Sequence, residues 1–581
     1  MGEFFYLFLT RTGFAVRLVE KMKKTGFLLL SFCLSFPFAQ VPLPSAPDWM
    51  SLDRDYSTGG SFADVNGDGY LDFLISNGND MAYDRNAVYL NNTGVLETNA
   101  SWRSIDSGLF GHCYSGDVNN DGLPDFAVAY LGYFMTGELK VRLYLNSDSG
   151  LEPQPFWVAA DRHSSFDCCL GDVDLDGDLD LAISAGDAYT NNYDRARIYQ
   201  NNAGVFDSLP FWAATDSVPS DAIRFCDIDN DGDLDLFVGQ RRKVSMYRNN
   251  DGVLETSPSW VARQGVGWVL RLDFGDYDQD GFFDLAVASN DQLGDPNSIK
   301  VFHNDNGTLD TIATFNMQRR GTNLYSSCVA WGDVNGDGYL DLAAGGWWRP
   351  AVVYLNNAGV LETLPSWSWS PPNPQRLVCE ALIWTDVDNS HLSEVVEAHN
   401  GDGRRKLFYL HRRPVQFLDS VKVNGERKGY QDFCFDPLAG WVSFAQAPDS
   451  GTGNVVFYYR YSDHPDLAVT NWDTLGGNLV FLNTTPAGIS AAIPPKVYRH
   501  FRVSPNPSAG LMYLSFSRGE IEPMMAGIYA QDGRLVRKIN LKGAGFVWDG
   551  RDEQGEVLPQ GVYVLKADGF APAKLIRVKA R

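Results

Sequence analysis

Two textures alternate along the first two thirds of the chain. A nine-residue stretch rich in acids runs directly into a short apolar segment, and the pair recurs. "DVNGDGYLD" at Asp64 leads into Phe73-Leu74-Ile75, "DVDLDGDLD" at Asp172 into Leu181-Ala182-Ile183, and "DYDQDGFFD" at Asp276 into Leu285-Ala286-Val287. "DVNNDGLPD" at Asp117, "DIDNDGDLD" at Asp227 and "DVNGDGYLD" at Asp333 repeat the pattern, and a degraded copy, "DVDNSHLSE", starts at Asp386. Successive starts lie 49 to 57 residues apart. A period of that length marks an array of similar supersecondary units.

The rest of each unit repeats too. A second strand ends in an aromatic and a polar turn with glycine, as in "VYLNNTG" (Val88–Gly94) or "VYLNNAG" (Val353–Gly359). Next comes a segment centred on Trp102, Trp157, Trp212, Trp260, Phe315 or Trp367. Four short strands per unit without helical periodicity predict the blades of a β-propeller. Trp49 precedes the first acid loop, while no matching segment follows the seventh unit, read as ending at "LFYLHRR" (Leu407–Arg413). The Trp49 segment is therefore expected to complete blade seven and close the ring, which removes exposed edges. The expected fold class is all-β: a seven-bladed propeller over 41–413, followed by two small β-sandwich domains at 414–496 and 497–581. The first sandwich is read from "VQFLDSVKVNG", "GWVSFAQAP" and "NVVFYYRYS" as a spacer, with "DLAVTNWD" (Asp466–Asp473) as a turn or edge segment.

Oxygen-bearing residues at loop positions 1, 3 and 5, with glycine at 6, point to calcium, a hard cation that takes six to eight oxygen ligands. The EF-hand fails as a template. Its twelfth-position acid is replaced by Ile75, Val128, Ile183, Val238, Val287 and Ala344, and the last acid comes early, at position 9. The expected ligands are positions 1, 3, 5 and 9 plus the backbone carbonyl of 7. They are Asp64, Asn66, Asp68, Tyr70 and Asp72 in the first loop, and Asp117, Asn119, Asp121, Leu123 and Asp125 in the second. Asp172, Asp174, Asp176, Asp178 and Asp180 form the third, and Asp227, Asp229, Asp231, Asp233 and Asp235 the fourth. Asp276, Asp278, Asp280, Phe282 and Asp284 form the fifth, and Asp333, Asn335, Asp337, Tyr339 and Asp341 the sixth. About six calcium ions are expected. Three or four ligand carboxylates in one turn repel one another, and a divalent ion reverses that sign. In the seventh loop His391 stands in the glycine's place and Glu394 at the ninth position, so no ion is assigned there.

These loops, with apolar strands after them, resemble the FG-GAP/VCBS repeats of integrin-α-type seven-bladed propellers over residues 48–412. The resemblance implies calcium on one face and ligand recognition on other loops. The last eighty residues, with "SPNPSAG", "WDGRDEQGEVLPQGVYVLKA" and a basic final strand, resemble both FlgD-type Ig-like domains and type IX secretion sorting domains. Either implies export and anchoring at an outer surface.

Composition narrows the partners. A net charge of −24 disfavours nucleic acid, which needs Lys/Arg patches on phosphate. Met22-Lys23-Lys24, the apolar run Gly26 to Phe38 and Ala39-Gln40 fit a bacterial-type secretory signal within residues 1–40, with Met22 as the start. The run is too short to span a membrane. Five of the seven cysteines beyond it lie just upstream of acid loops, and all seven are expected as small buried side chains. Histidines are scattered, and no GxSxG, HExxH or phosphate-cradling motif occurs. The expected function is an exported calcium-binding propeller that takes extracellular protein or glycan in adhesion. The alternative is a carbohydrate-active enzyme of polysaccharide lyase type, with Arg241-Arg242-Lys243 neutralising an acidic sugar.

Overall fold

The computed structural model describes residues 41–581 except 80–81, 133–136, 148, 263–265, 295–297, 318–324, 487–500, 505–507, 509, 517–520, 531–533, 544, 568–572 and 579–581. The signal-like segment 1–40, the stretch "AAIPPK" and parts of the C-terminal motifs lie outside the described residues.

Seven antiparallel four-stranded sheets form the ring. Blade one comprises Ser57–Ala63, Asp72–Asn77, Ala87–Tyr89 and Trp102–Arg103, from the axis outward. Blades two to six repeat this order from Phe110–Gly116, Cys168–Gly171, Ser220–Cys226, Trp268–Gly275 and Ser326–Gly332 as inner strands. Each inner strand packs against the next, and Cys379–Thr385 of blade seven returns to Ser57–Ala63. The second strands of blades one, two, four, five and six are wholly buried, so they carry short apolar runs rather than strict alternation. All seven cysteines are buried free thiols.

Blade seven departs from the expected boundaries. Its strands are Cys379–Thr385, Asp466–Asn471, Leu479–Phe481 and Trp49–Met50. The Trp49 segment is indeed its outer strand. "DLAVTN", read as a turn or edge, is its second strand, and the ring extends beyond residue 413 to about 484. The sandwich assigned to 414–496 does not follow the propeller; it is inserted within blade seven. One of its sheets orders Leu392–Gly401, Gly451–Ser462, Val415–Val423 and Glu426–Arg427; the other orders Leu407–Tyr409, Trp441–Phe444 and Phe433–Asp436. Phe408, Val421, Phe457 and Tyr459 lie in its own apolar core. "LFYLHRR" therefore belongs to the insertion and not to the ring. An insertion between two strands that still pair is tolerated because lengthening a loop costs little extra closure entropy.

The insertion lies over the acid-loop face. Tyr114 Oη in blade two donates to Asp436 Oδ2 at 2.8 Å, Lys406 Nζ donates to Leu175 O at 2.6 Å, and Arg413 stacks on Phe283 at 4.1 Å. Between it and the inner strands is a cavity of about 1160 Å³. The C-terminal region forms a third β unit ordered Phe501–Ser504, Met512–Phe516, Gly545–Trp548, Leu535–Gly543, Ile521–Ala530, Gly561–Ala567 and Ala573–Arg577. Trp548 and Leu565 are in its core. Among the described residues no helix is long and apolar enough to cross a membrane.

Candidate metal centre: the acid loops

Each acid loop links an inner strand to its neighbour, so all of them fall on one face of the ring. The first-position carboxylate receives the amide of position 6 at 2.7–3.1 Å in the six intact loops. The fifth receives the amide of position 7 at 2.8–3.3 Å. Alternate side chains thus fold inward around one centre. The sixth-position glycines have φ between 86° (Gly69) and 102° (Gly232), a left-handed turn that strains other residues.

The ninth-position aspartate is almost fully buried in all six intact loops. One of its oxygens takes the position 2 amide at 2.9–3.4 Å, which ties the loop shut. The other takes, at 2.7–2.8 Å, the amide of an asparagine that ends the third strand. That asparagine was not among the expected site residues, although an aromatic-X-Asn pattern repeats it in plain view. Its Nδ2 donates to the position 2 carbonyl of the preceding blade at 2.6–3.0 Å, from Asn91, Asn146, Asn201, Asn249, Asn304, Asn356 and Asn483. One side chain per blade therefore couples the acid loops around the ring, and Asn91 to Val387 O closes the circle. Outer-strand tryptophans add a second tie: Trp49, Trp102, Trp212 and Trp260 donate into the next blade's turn at 2.6–3.2 Å, and Trp367 reaches Pro44 O at 3.0 Å. Asn356→Ala should cost about 2–4 kcal/mol in urea unfolding, since Tyr277 O, Leu340 O and the Gly359 amide all lose a buried partner. A variant as stable as the parent contradicts the coupling.

The loops differ at position 3, and the structure reveals a compensation. Where position 3 is Asn66, Asn119 or Asn335, the residue before the strand-ending asparagine is Leu90, Leu145 or Leu355. Where it is Asp174, Asp229 or Asp278, that residue is Gln200, Arg248 or His303, and each contacts the third-position carboxylate. The extra acid is held by a polar or cationic neighbour. At position 7, Asp178 Oδ2 accepts the Ala203 amide and Asp233 Oδ2 the Asp251 amide, both at 2.7 Å, so these two side chains serve the adjacent turn.

The seventh loop is split. Asp386 receives the amides of Ser390 and His391 at 3.0 and 2.9 Å, as first-position acids do elsewhere. Its ninth-position acid is Asp466, not Glu394: Asp466 takes the Val387 amide at 2.8 Å and the Asn483 amide at 2.6 Å. Glu394 lies on the exposed side of the insertion's first strand. Asp386, Asp388 and Asp466 thus supply as many carboxylates as loops one, two and six.

Electrostatics follow the burial. Desolvation, with mutual repulsion behind it, pushes Asp72, Asp172, Asp227, Asp280, Asp333 and Asp386 up to about 7. Asp125, Asp235 and Asp284 rise to about 8, and Asp180, Asp341 and Asp466 stand well above the carboxylate range. Donor atoms of Asp172, Asp174 and Asp176, of Asp227, Asp229 and Asp231, and of Asp276, Asp278 and Asp284 lie within 4.8 Å of one another in each set. Asp174 Oδ1 and Asp229 Oδ1 are buried with no hydrogen-bond partner. Buried oxygens without donors, beside other carboxylates, fit a hard divalent cation.

The opposite face gathers aromatics. Trp268, Trp347, Tyr189, Tyr325 and Trp472 cluster where inner strands begin and second strands end. Trp347 Nε1 and Trp472 Nε1 donate to the buried Glu380 Oε1 at 2.6 and 3.0 Å, and Trp268 Nε1 to Asp221 Oδ2 at 2.5 Å. Trp348 is 41% exposed and packs edge-on against Tyr325 at 5.5 Å. Arg241-Arg242-Lys243 lies at the hairpin between Asp235–Gln240 and Lys243–Tyr247, where Lys243 is paired with Asp216. His112 is buried against Asp167, and His163 is held by Asp161 and Asp194.

No curated protein matches the chain. Among solved structures, one of an Agrocybe aegerita lectin, described as specifically recognising non-reducing terminal N-acetylglucosamine, aligns at 19% identity with a TM-score of 0.34. The alignment covers 54% of this chain and 80% of that one. Residues 64–128, 117–183, 227–287 and 284–344 match the model of the FG-GAP-like repeat. The six intact acid loops all lie within the residues that match the FG-GAP-like repeat, and the sheets that carry them form a closed β-propeller.

Proposed function

We propose that this protein is an exported, calcium-stabilised binding module that takes an extracellular protein or glycan on the face opposite its acid loops. Calcium in the loops fixes the angles between blades, and the ring then presents a rigid platform. The observation that carries the reading is the division of the two faces. Acid clusters coupled by the asparagines occupy one, and an aromatic cluster with an exposed Trp348 occupies the other. Aromatic rings backed by buried acids that orient the indoles suit the apolar faces of sugars and the anchors of protein interfaces. The secretory signal and C-terminal domain read from the sequence support export and surface attachment.

Trp348→Ala should reduce binding to the ligand found in a glycan and surface-protein array by at least tenfold, with the melting temperature unchanged. Equal binding by the variant would place recognition elsewhere.

A further inference from the structure

We propose that Glu397, His399 and His411, in the insertion, form a site for a zinc-class divalent ion distinct from the acid loops. Glu397 and His399 lie two residues apart on the strand Leu392–Gly401, so they share a face. That face looks into the sandwich and not to solvent: Val395 pairs with Tyr459 and Glu397 with Phe457, both core residues. His411 follows Leu407–Tyr409 of the other sheet. The cluster therefore bridges the two sheets at the rim of the 1160 Å³ cavity, which all three residues line.

The donor geometry is convergent. His399 Nε2 lies 2.6 Å from Glu397 Oε1, and His411 Nδ1 contacts the same oxygen. The two imidazoles stack with centroids 5.7 Å apart at 24°. One donor atom from each residue lies within 4.8 Å of the others. Ligands about 2 Å from one first-row ion sit roughly 3–4 Å apart, so small rotations bring this set onto a metal. A carboxylate on the inner face of an apolar sandwich is costly without a countercharge. Among the described residues the ion-pair partners of Glu397 are these two histidines alone.

The surroundings are built to hold such a site. Phe408 and Phe457 pack edge-on against the His399 ring at 5.7 and 5.5 Å and fix its orientation. Tyr459 Oη donates to Glu397 Oε2 at 2.7 Å and the His411 amide at 3.1 Å, anchoring the oxygen that faces away from the imidazoles. Such outer partners orient metal ligands. Two nitrogens and one oxygen select a zinc-class ion, whereas the acid loops offer oxygen alone and select calcium. Three protein ligands leave a fourth position open beside the cavity, the arrangement of metal sites that take water or a further ligand.

The test uses the full chain, free of any polyhistidine tag, in excess CaCl₂ so that the loops are saturated. Titration with Co²⁺ should give visible-region absorption that saturates at one equivalent and is displaced by Zn²⁺. His411 is 63% exposed, so His411→Ala should fold normally by melting and lose at least tenfold in Co²⁺ affinity. Should that variant not fold, His411→Gln, which keeps a contact with Glu397, carries the same expectation. No saturable absorption in the parent, or unchanged affinity in the folded variant, overturns the proposal.

Discussion

Adding EGTA to the calcium-loaded protein should lower its melting temperature by more than ~10 °C. At calcium one hundred times the dissociation constant each proposed site would contribute about 2.7 kcal/mol, and six such sites would act on one ring. The effect should depend on pH with a definite sign. Among the ninth-position carboxyls, those of Asp72, Asp125, Asp235 and Asp284 rise from an ordinary value of 3.8 to about 7 or 8 in the metal-free fold, and those of Asp180 and Asp341 rise well above the carboxylate range. A carboxyl raised on folding favours the fold below its unfolded value, and that advantage is lost as pH climbs through the folded value. The metal-free protein should therefore be most stable near pH 4 and weaken progressively toward pH 8. Calcium should reverse the trend, because it binds the ionised form. Melting curves with and without chelator at pH 5 and pH 8 check both parts. A chelator effect larger at pH 5 than at pH 8 contradicts the account.

The second large effect concerns ring closure. A chain beginning at Ser51 should melt at least ~10 °C below one beginning at Val41 and should associate through its freed edge. The deletion removes Trp49–Met50, the outer strand of blade seven, and bares Leu479–Phe481. It also takes Val41 and Leu43, both almost fully buried, and the Pro44 carbonyl that receives Trp367. Burial of such side chains stabilises by about 1.5–3 kcal/mol each. The total approaches the whole stability of a typical domain. An unpaired apolar strand edge invites pairing with another copy. Scanning calorimetry and size-exclusion chromatography report the two consequences. A monomer that melts with the longer chain shows that the ring does not depend on its N-terminal strand.

Most of the ring was legible because its physics is local. An acid loop, an apolar run, an aromatic-Asn-Gly turn and a tryptophan fall in fixed order, and each specifies one piece of a blade. Blade seven was misread where that locality fails. Its acid loop begins at Asp386 and finishes at Asp466, with a whole sandwich between them. Spacing along the chain made Glu394 the ninth-position acid, while the backbone amides choose Asp466. The signal was present all the same: "DLAVTN" at Asp466 matches "DLAVAS" at Asp284, and "VFLNTTPAG" at Val480 matches "VYLNNAG" at Val353. The asparagine ties were hidden for a different reason. A turn asparagine usually reads as backbone punctuation, and its role here depends on a carbonyl about eighty residues away in a neighbouring sheet. The pairing of Asp174, Asp229 and Asp278 with Gln200, Arg248 and His303 needs comparison between repeats, not within one. The insertion's His399 and His411 looked scattered because a turn and the strand Leu407–Tyr409 separate residues that the fold brings together.

The most direct measurement is a count of bound ions. Protein dialysed to equilibrium against millimolar calcium, then assayed for metal and protein together, should carry six or seven ions per chain above the buffer level. Aspartates that instead formed a bare polar framework would leave the protein with none, and that result would contradict the central claim.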